Sequence, residues 1–113
     1  MTLPPSFNIL VEQIDREINN LDTELSQAIQ LVRSRITLFP DNIISIQLFA
    51  LLTNYTLFSE NTRRRIKETI QYVTANEMLS SSDIQEVGED LSEQLGRILE
   101  AKIVVSNIKK RLG

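Results

Sequence analysis

The stretch that decides the fold runs from residue 7 to residue 39 and reads FNILVEQIDREINNLDTELSQAIQLVRSRITLF. Its apolar residues recur at steps of three and four, which places them on one face of an α-helix. They form two neighbouring heptad rows, interrupted only at Arg35: Phe7, Ile14, Leu21 and Ala28 beside Val11, Ile18, Leu25 and Val32. The spacing predicts a helix roughly 50 Å long with one apolar seam of the coiled-coil type.

Prolines bracket this first helix. Pro4 and Pro5 are expected to precede its first turn, with Ser6 as the capping residue. Pro40 disfavours helical geometry in the residue before it, so the helix should end near residue 39. Asp41 is then the expected cap of the next helix.

A second heptad pattern lies at the other end of the chain. Its main row has a period of seven and comprises Ile84, Leu91, Ile98, Val105 and Leu112. A neighbouring row contains Val87, Ala101 and Ile108, with Gln94 as its polar exception. Ser82 and Gln85 have the spacing of a capping box. These features predict a helix over 83–111.

The stretch between the two heptad patterns contains no glycine or proline from residue 41 to residue 79. Its apolar positions keep one helical phase, although the polar run 59–62 resembles a second capping site. We therefore predict an all-α fold, an antiparallel up-down-up bundle of three long helices at about 7–39, 42–79 and 83–111. The alternative is a four-helix bundle with a break near 59–61. A chain of 113 residues predicts a single domain, 1–113.

The middle helix carries apolar residues on two sides, and residues 42–59 contain no charge. The stripe expected to face inward comprises Ile44, Leu48, Leu51, Tyr55 and Phe58. The opposite stripe comprises Ile46, Phe49, Ala50, Thr53 and Leu57. In a four-helix bundle this second stripe is buried within the monomer. In a three-helix bundle it needs a partner, and a symmetric homodimer is the commonest way to cover such a strip.

The densest basic run is Arg63, Arg64, Arg65 and Lys67. These four charges suit contacts to phosphate groups, so a small nucleic-acid-associated regulator is the alternative function. Basic runs of this kind also pair with acidic neighbours on a solvated surface, and Glu60 and Glu68 are close in sequence. The net charge of −3 gives no general attraction to nucleic acid.

The composition disfavours enzymatic chemistry. The chain has no histidine and no cysteine, which removes the commonest general base, the commonest nucleophilic pairs and most transition-metal ligand sets. We therefore expect no catalytic residues, no metal and no cofactor. The first residues lack the pattern of a signal peptide, polar residues interrupt every apolar run, and the absence of cysteine fits a reducing compartment. The expected protein is cytoplasmic and not membrane-bound.

These observations predict a non-enzymatic interaction or structural protein. It is expected to form a homodimer through the charge-free part of its middle helix and to serve as an adaptor or regulatory module that also contacts another protein.

Overall fold

The computed structural model describes residues 4–76 and 78–113, which form three long helices. They are α1 (Pro5–Leu38), α2 (Ile43–Ala75) and α3 (Ser81–Leu112). The helices pack side by side in an up-down-up bundle with extents of 58 × 18 × 16 Å. The predicted three-helix bundle is confirmed. The alternative break near 59–61 is absent, because α2 continues through those residues.

The helix ends differ in detail from the sequence predictions. α1 begins at Pro5, because proline is well suited to the first helical position, where no backbone N–H is needed. Asn42, rather than Asp41, caps α2 by accepting a hydrogen bond from the Ser45 amide at 2.9 Å. α2 ends at Ala75, whereas the sequence predicted an end at residue 79. The predicted range includes Glu77, which lies outside the described residues.

The capping box of α3 was also assigned to the wrong pair. Ser80 and Asp83 form it, with each side chain accepting from the backbone amide of the other at 3.1 Å. The predicted pair, Ser82 and Gln85, lies inside the helix. α3 therefore starts two residues earlier than the sequence indicated.

α1 is the central helix of the bundle. It packs extensively along α3 and along α2, whereas α2 and α3 contact each other sparsely. The Arg35 guanidinium donates to the Leu112 carbonyl oxygen at 3.1 Å, so the carboxyl ends of α1 and α3 lie at the same pole. The predicted seam of α1 is confirmed as buried at Phe7, Ile14, Ile18, Leu21, Leu25, Ala28 and Val32.

The heptad pattern of α3 is confirmed as well. Its buried apolar residues are Leu91, Ile98, Ala101, Val105, Ile108 and Leu112. Ile84 and Val87, at the start of the predicted rows, are half-buried. Gln94, the polar exception, is also buried, and its Nε2 has no hydrogen-bond partner in the described part of the chain. The polar exception in this heptad row therefore places the Gln94 side-chain amide inside the bundle and not on its surface.

The inward face of α2 differs from the predicted stripe. Its buried residues include a heptad row that contains two serines: Ser45, Leu52, Ser59, Ile66 and Val73. Ile44 and Leu51, which were expected to face the core, are exposed, whereas Leu48, Tyr55 and Phe58 are half-buried against it. The first half of α2 is thus rotated relative to the prediction. Two small polar residues occupy core positions that an apolar pattern does not reveal.

Two leucines of α2 provide a test of this rotation. Leu52 is fully buried and Leu57 is 52% exposed. We expect Leu52→Ala to lower the free energy of unfolding by about 2–5 kcal/mol, because it leaves a cavity in the core. Leu57→Ala should change it by less than about 0.5 kcal/mol in dilute protein. Urea denaturation followed by circular dichroism measures both, and equal losses would contradict the assigned faces.

Candidate interaction surface on helix α2

Polar contacts with α1 lie on the same side of α2 as its buried apolar residues. The Asp22 carboxylate accepts hydrogen bonds from the buried Ser59 hydroxyl and from the Arg63 guanidinium, whose Nε lies 3.0 Å from Oδ2. Arg63 also donates to the side-chain oxygen of Asn19. Because a carboxylate bonded to two donors one turn apart favours a single helix orientation, these contacts direct the Ser59 side of α2 toward α1.

With that side turned inward, a row of small and apolar side chains points away from the bundle. We call it the α2 outer face and define it as Ile43, Ile46, Ala50, Thr53 and Leu57, all of which are exposed. Ile43 is 68% exposed and Ile46 is 48% exposed. The Thr53 hydroxyl donates to the Phe49 carbonyl at 2.9 Å, so its polar group is satisfied within the helix. The outer face therefore lacks charge and contains few polar groups that burial would leave unpaired.

Four of the five residues predicted for the partner-binding stripe lie on this face, and Phe49 does not. Phe49 is half-buried and packs against the core. The Arg33 guanidinium carbon lies 5.7 Å from the centre of its ring, a cation–π distance. Phe49 is therefore a contact between α1 and α2, and Ile43 takes its place on the outer face.

Exposed apolar residues are concentrated in the first half of α2 and just before it. Of the thirteen large apolar residues that are exposed in the described part of the chain, seven lie between residues 38 and 57. Leu38 is the last residue of α1 and Phe39 follows it. Ile44 and Leu51 flank the outer face. Three of these exposed residues lie in the first turn of α2: Ile43, Ile44 and Ile46.

The basic run has a different environment at each residue. Arg63 pairs with Asp22, and Arg65 pairs with Asp90 of α3 at 2.9 Å. Arg64 donates to the Asn61 side chain at 2.9 Å and forms no ion pair within residues 4–76 and 78–113. Lys67 is exposed and lines a groove between α1 and α2. Arg63 and Arg65, two of the four residues predicted to bind phosphate, thus form ion pairs between α2 and the neighbouring helices α1 and α3.

That groove is an apolar concavity beside α2. It has a volume of about 510 Å³ and is floored by Val11, Ile14, Ile18, Ile66 and Ile70. Glu12 and Asp15 lie on its α1 side, opposite Lys67 on its α2 side. It adjoins the second half of α2, so it is separate from the outer face, which occupies the first half.

Lysines of α3 bridge to acids of α1. Lys102 Nζ lies 3.0 Å from Glu17 Oε2, and Lys109 Nζ lies 3.3 Å from Glu24 Oε2. Lys102 and Lys109 therefore join α3 to α1. The charge-free outer face contrasts with these ion-paired sides.

Comparison of the chain with models of protein families, with curated proteins and with solved structures gave no match. Its class is therefore defined by the fold alone, a three-helix antiparallel bundle. None of the described helices contains a stretch long and apolar enough to cross a membrane.

Asp22 is the residue to change in testing how α2 is oriented. Asp22→Ala removes the acceptor of Ser59 and Arg63, and we expect it to lower the free energy of unfolding by about 1–2 kcal/mol. Asp15→Ala is the matched control, because Asp15 is exposed and forms no ion pair in the described part of α1–α3. Denaturant titration measures both variants. A loss no larger for Asp22→Ala than for Asp15→Ala would show that the carboxylate does not fix α2.

Proposed function

We propose that this protein is a non-enzymatic interaction module that forms a homodimer through the α2 outer face. The observation that supports the proposal is the exposed, charge-free surface of Ile43, Ile46, Ala50 and Leu57 on a helix whose other side is already packed. Contiguous apolar surface on a small protein usually marks an interaction site, and a second copy is the commonest partner.

The packing of the monomer supports a self-complementary contact. The outer face spans fifteen helical residues, roughly 21 Å along the helix axis, and its middle residue is Ala50. A small residue at the centre allows two helices to approach closely, while larger residues on either side interdigitate. The affinity would come from burial of Ile43, Ile46 and Leu57, since nothing charged has to lose its water there.

The dimensions of the face indicate a dimer of moderate stability. A stable interface buries on the order of 800 Å² per partner. One helical face of this length is small by that measure, so the exposed Leu38 and Phe39 at the end of α1 would have to contribute. We propose a dimer that forms at micromolar protein concentrations.

Dimerisation through this face leaves most of each bundle accessible. The α1–α2 groove and the ion-paired sides of α3 lie outside the contact. Each protomer of the dimer would present these same surfaces to another protein. This arrangement suits an adaptor or regulatory role in the cytoplasm.

Ile46 provides the direct test. We expect the unmodified protein to be dimeric at tens of micromolar in sedimentation equilibrium, and Ile46→Asp to be monomeric because it places a charge in the middle of the buried contact. Ile103→Asp is the matched control, since Ile103 is also an exposed isoleucine, 63% exposed, and lies on α3. It should remain dimeric.

Two results would contradict the proposal. One is a monomer for the unmodified protein up to several hundred micromolar. The other is an equal loss of dimer for Ile46→Asp and Ile103→Asp. Circular dichroism spectra of both variants should match that of the unmodified protein, because both positions are exposed.

The alternative proposal, a nucleic-acid-associated regulator, is supported by the two basic residues without an ion pair in the described structure, Arg64 and Lys67. The dependence on salt concentration distinguishes nucleic-acid binding from apolar self-association. Phosphate binding weakens steeply with added salt, whereas burial of apolar surface persists or strengthens.

We expect fluorescence anisotropy with labelled single-stranded and duplex oligonucleotides to show no binding at 0.15 M NaCl and micromolar protein. The dimer should remain in sedimentation runs at 0.5 M NaCl. Oligonucleotide binding that weakens with salt and is lost in the Arg64→Ala/Lys67→Ala double variant would favour the nucleic-acid function instead.

A further inference from the structure

The end of the bundle at which α1 connects to α2 has exposed apolar side chains. This inference goes beyond the proposed homodimer and does not require it. Four large apolar residues lie within the seven-residue stretch 38–44, and each is 61–72% exposed: Leu38, Phe39, Ile43 and Ile44. We call these four residues the apolar tip. The Asn42 amide donates to the Phe39 carbonyl oxygen at 3.1 Å, so the connection that carries them is a closed turn.

Basic residues lie at the same end of the bundle. Arg35, in the last turn of α1, donates to the Leu112 carbonyl oxygen at 3.1 Å, so α1 and α3 end side by side. The last turn of α3 contains Lys109, Lys110 and Arg111. Bases at the carboxyl ends of helices stabilise the helix dipoles, but that role does not account for exposed apolar residues beside them.

The charge at this end is positive, although the chain as a whole has a net charge of −3. Residues 28–53 and 103–113 contain five basic residues and one acid, Asp41. Lys109 pairs with Glu24 of α1. The other four basic residues form no ion pair within residues 4–76 and 78–113: Arg33, Arg35, Lys110 and Arg111. All four are exposed.

We propose that this end of the bundle binds the surface of an anionic lipid bilayer, with the apolar tip among the lipid headgroups and the basic residues beside lipid phosphates. Proteins bind bilayer surfaces by burying apolar side chains at the interface while basic residues attract anionic lipids. Anionic lipids are concentrated in the cytoplasmic leaflet, which agrees with the proposed cytoplasmic location. The expectation that the protein is not membrane-bound considered total charge and spanning segments, whereas this contact depends on one local patch.

The shape of this end favours a bilayer over other partners. The bundle is 58 Å long and 18 × 16 Å across, so its end is narrow. A stable protein interface buries on the order of 800 Å² per partner, which is large for an end of this size. Nucleic acid would contact the basic residues and leave the apolar tip in water. A bilayer interface accommodates both groups and requires no matching pocket.

The apolar tip shares residues with the proposed dimer contact. Ile43 belongs to the α2 outer face, and Leu38 and Phe39 border it. A molecule bound to a bilayer through this end would not use these residues for dimerisation. Lipid binding is therefore measured at submicromolar protein, below the concentrations at which the dimer is proposed to form.

Cosedimentation with vesicles tests the proposal. We expect binding to phosphatidylcholine vesicles that contain about 30% phosphatidylserine, and at least about tenfold weaker binding to phosphatidylcholine alone, because each basic residue near an anionic surface contributes roughly fivefold. Raising NaCl from about 0.1 M to about 0.5 M should weaken the binding, since salt screens this attraction.

Charge variants locate the contact. Lys110→Gln/Arg111→Gln should weaken binding to the anionic vesicles at least about tenfold. Arg64→Gln/Lys67→Gln is the matched control, because it removes the same charge from exposed residues in the second half of α2, and it should change the affinity less than about twofold. Asp41→Asn should strengthen binding about fivefold, because it removes the one acid at this end.

Apolar variants test insertion. We expect Phe39→Ser/Ile44→Ser to weaken binding about tenfold or more, because it removes two of the inserted side chains. Ile103→Ser/Val104→Ser, at exposed positions on α3, is the matched control and should bind as the unmodified protein does. Circular dichroism spectra of all these variants should match that of the unmodified protein, since every substituted residue is exposed.

Three results would overturn the proposal. The first is equal binding to the two vesicle compositions, or binding to neither. The second is a loss of binding in the Phe39/Ile44 or Lys110/Arg111 variant no larger than in its matched control. The third is binding to a duplex oligonucleotide that is lost in Lys110→Gln/Arg111→Gln and retained in Phe39→Ser/Ile44→Ser, which would assign the basic end to nucleic acid instead.

Discussion

Burial of the apolar seam of α1 between α2 and α3 is the interaction on which the rest of the structure depends. Leu21, Ala28 and Val32 are completely inaccessible on this seam, and α1 packs far more closely against each neighbour than those neighbours pack against each other. Without α1, α2 and α3 would share only their sparse direct contact, which includes the Arg65–Asp90 ion pair. The bundle is therefore organised around one helix, and the ion pairs of Lys102 and Lys109 with α1 acids reinforce its closest contact.

The sparse contact between α2 and α3 explains why α2 has exposed apolar surface. Ser45 and Ser59 occupy two positions of its inward row, so α2 contributes less apolar volume to the core than its sequence contains. Asp22 bonds Ser59 and Arg63 on the side of α2 that also buries Leu52. With that side packed, isoleucines and a leucine lie on the opposite, exposed side.

The fold was largely predictable from sequence, and the orientation of α2 was only partly so. The seams of α1 and α3 combine one apolar stripe with polar surroundings, so their period determines which side is buried. α2 has apolar residues on two sides, and periodicity alone does not choose between them. A heptad search that admitted serine would have found Ser45, Leu52, Ser59, Ile66 and Val73, yet the role of Asp22 depends on helix packing that a local pattern does not contain. Phe49 was misassigned for this reason, whereas Ile46, Ala50, Thr53 and Leu57 were placed correctly on the outward side.

The most direct test of a two-faced α2 is disulfide trapping, because the chain has no cysteine of its own. A two-fold contact through the outer face brings Ala50 next to its own copy, close to the Cα separation of about 4.4–6.8 Å that a disulfide requires. Under mild oxidation at micromolar concentration, we expect Ala50→Cys to form a covalent dimer rapidly and Ile103→Cys to form one only at the rate of random collision. Equal rates for the two variants would contradict the claim that a second copy covers the outer face of α2.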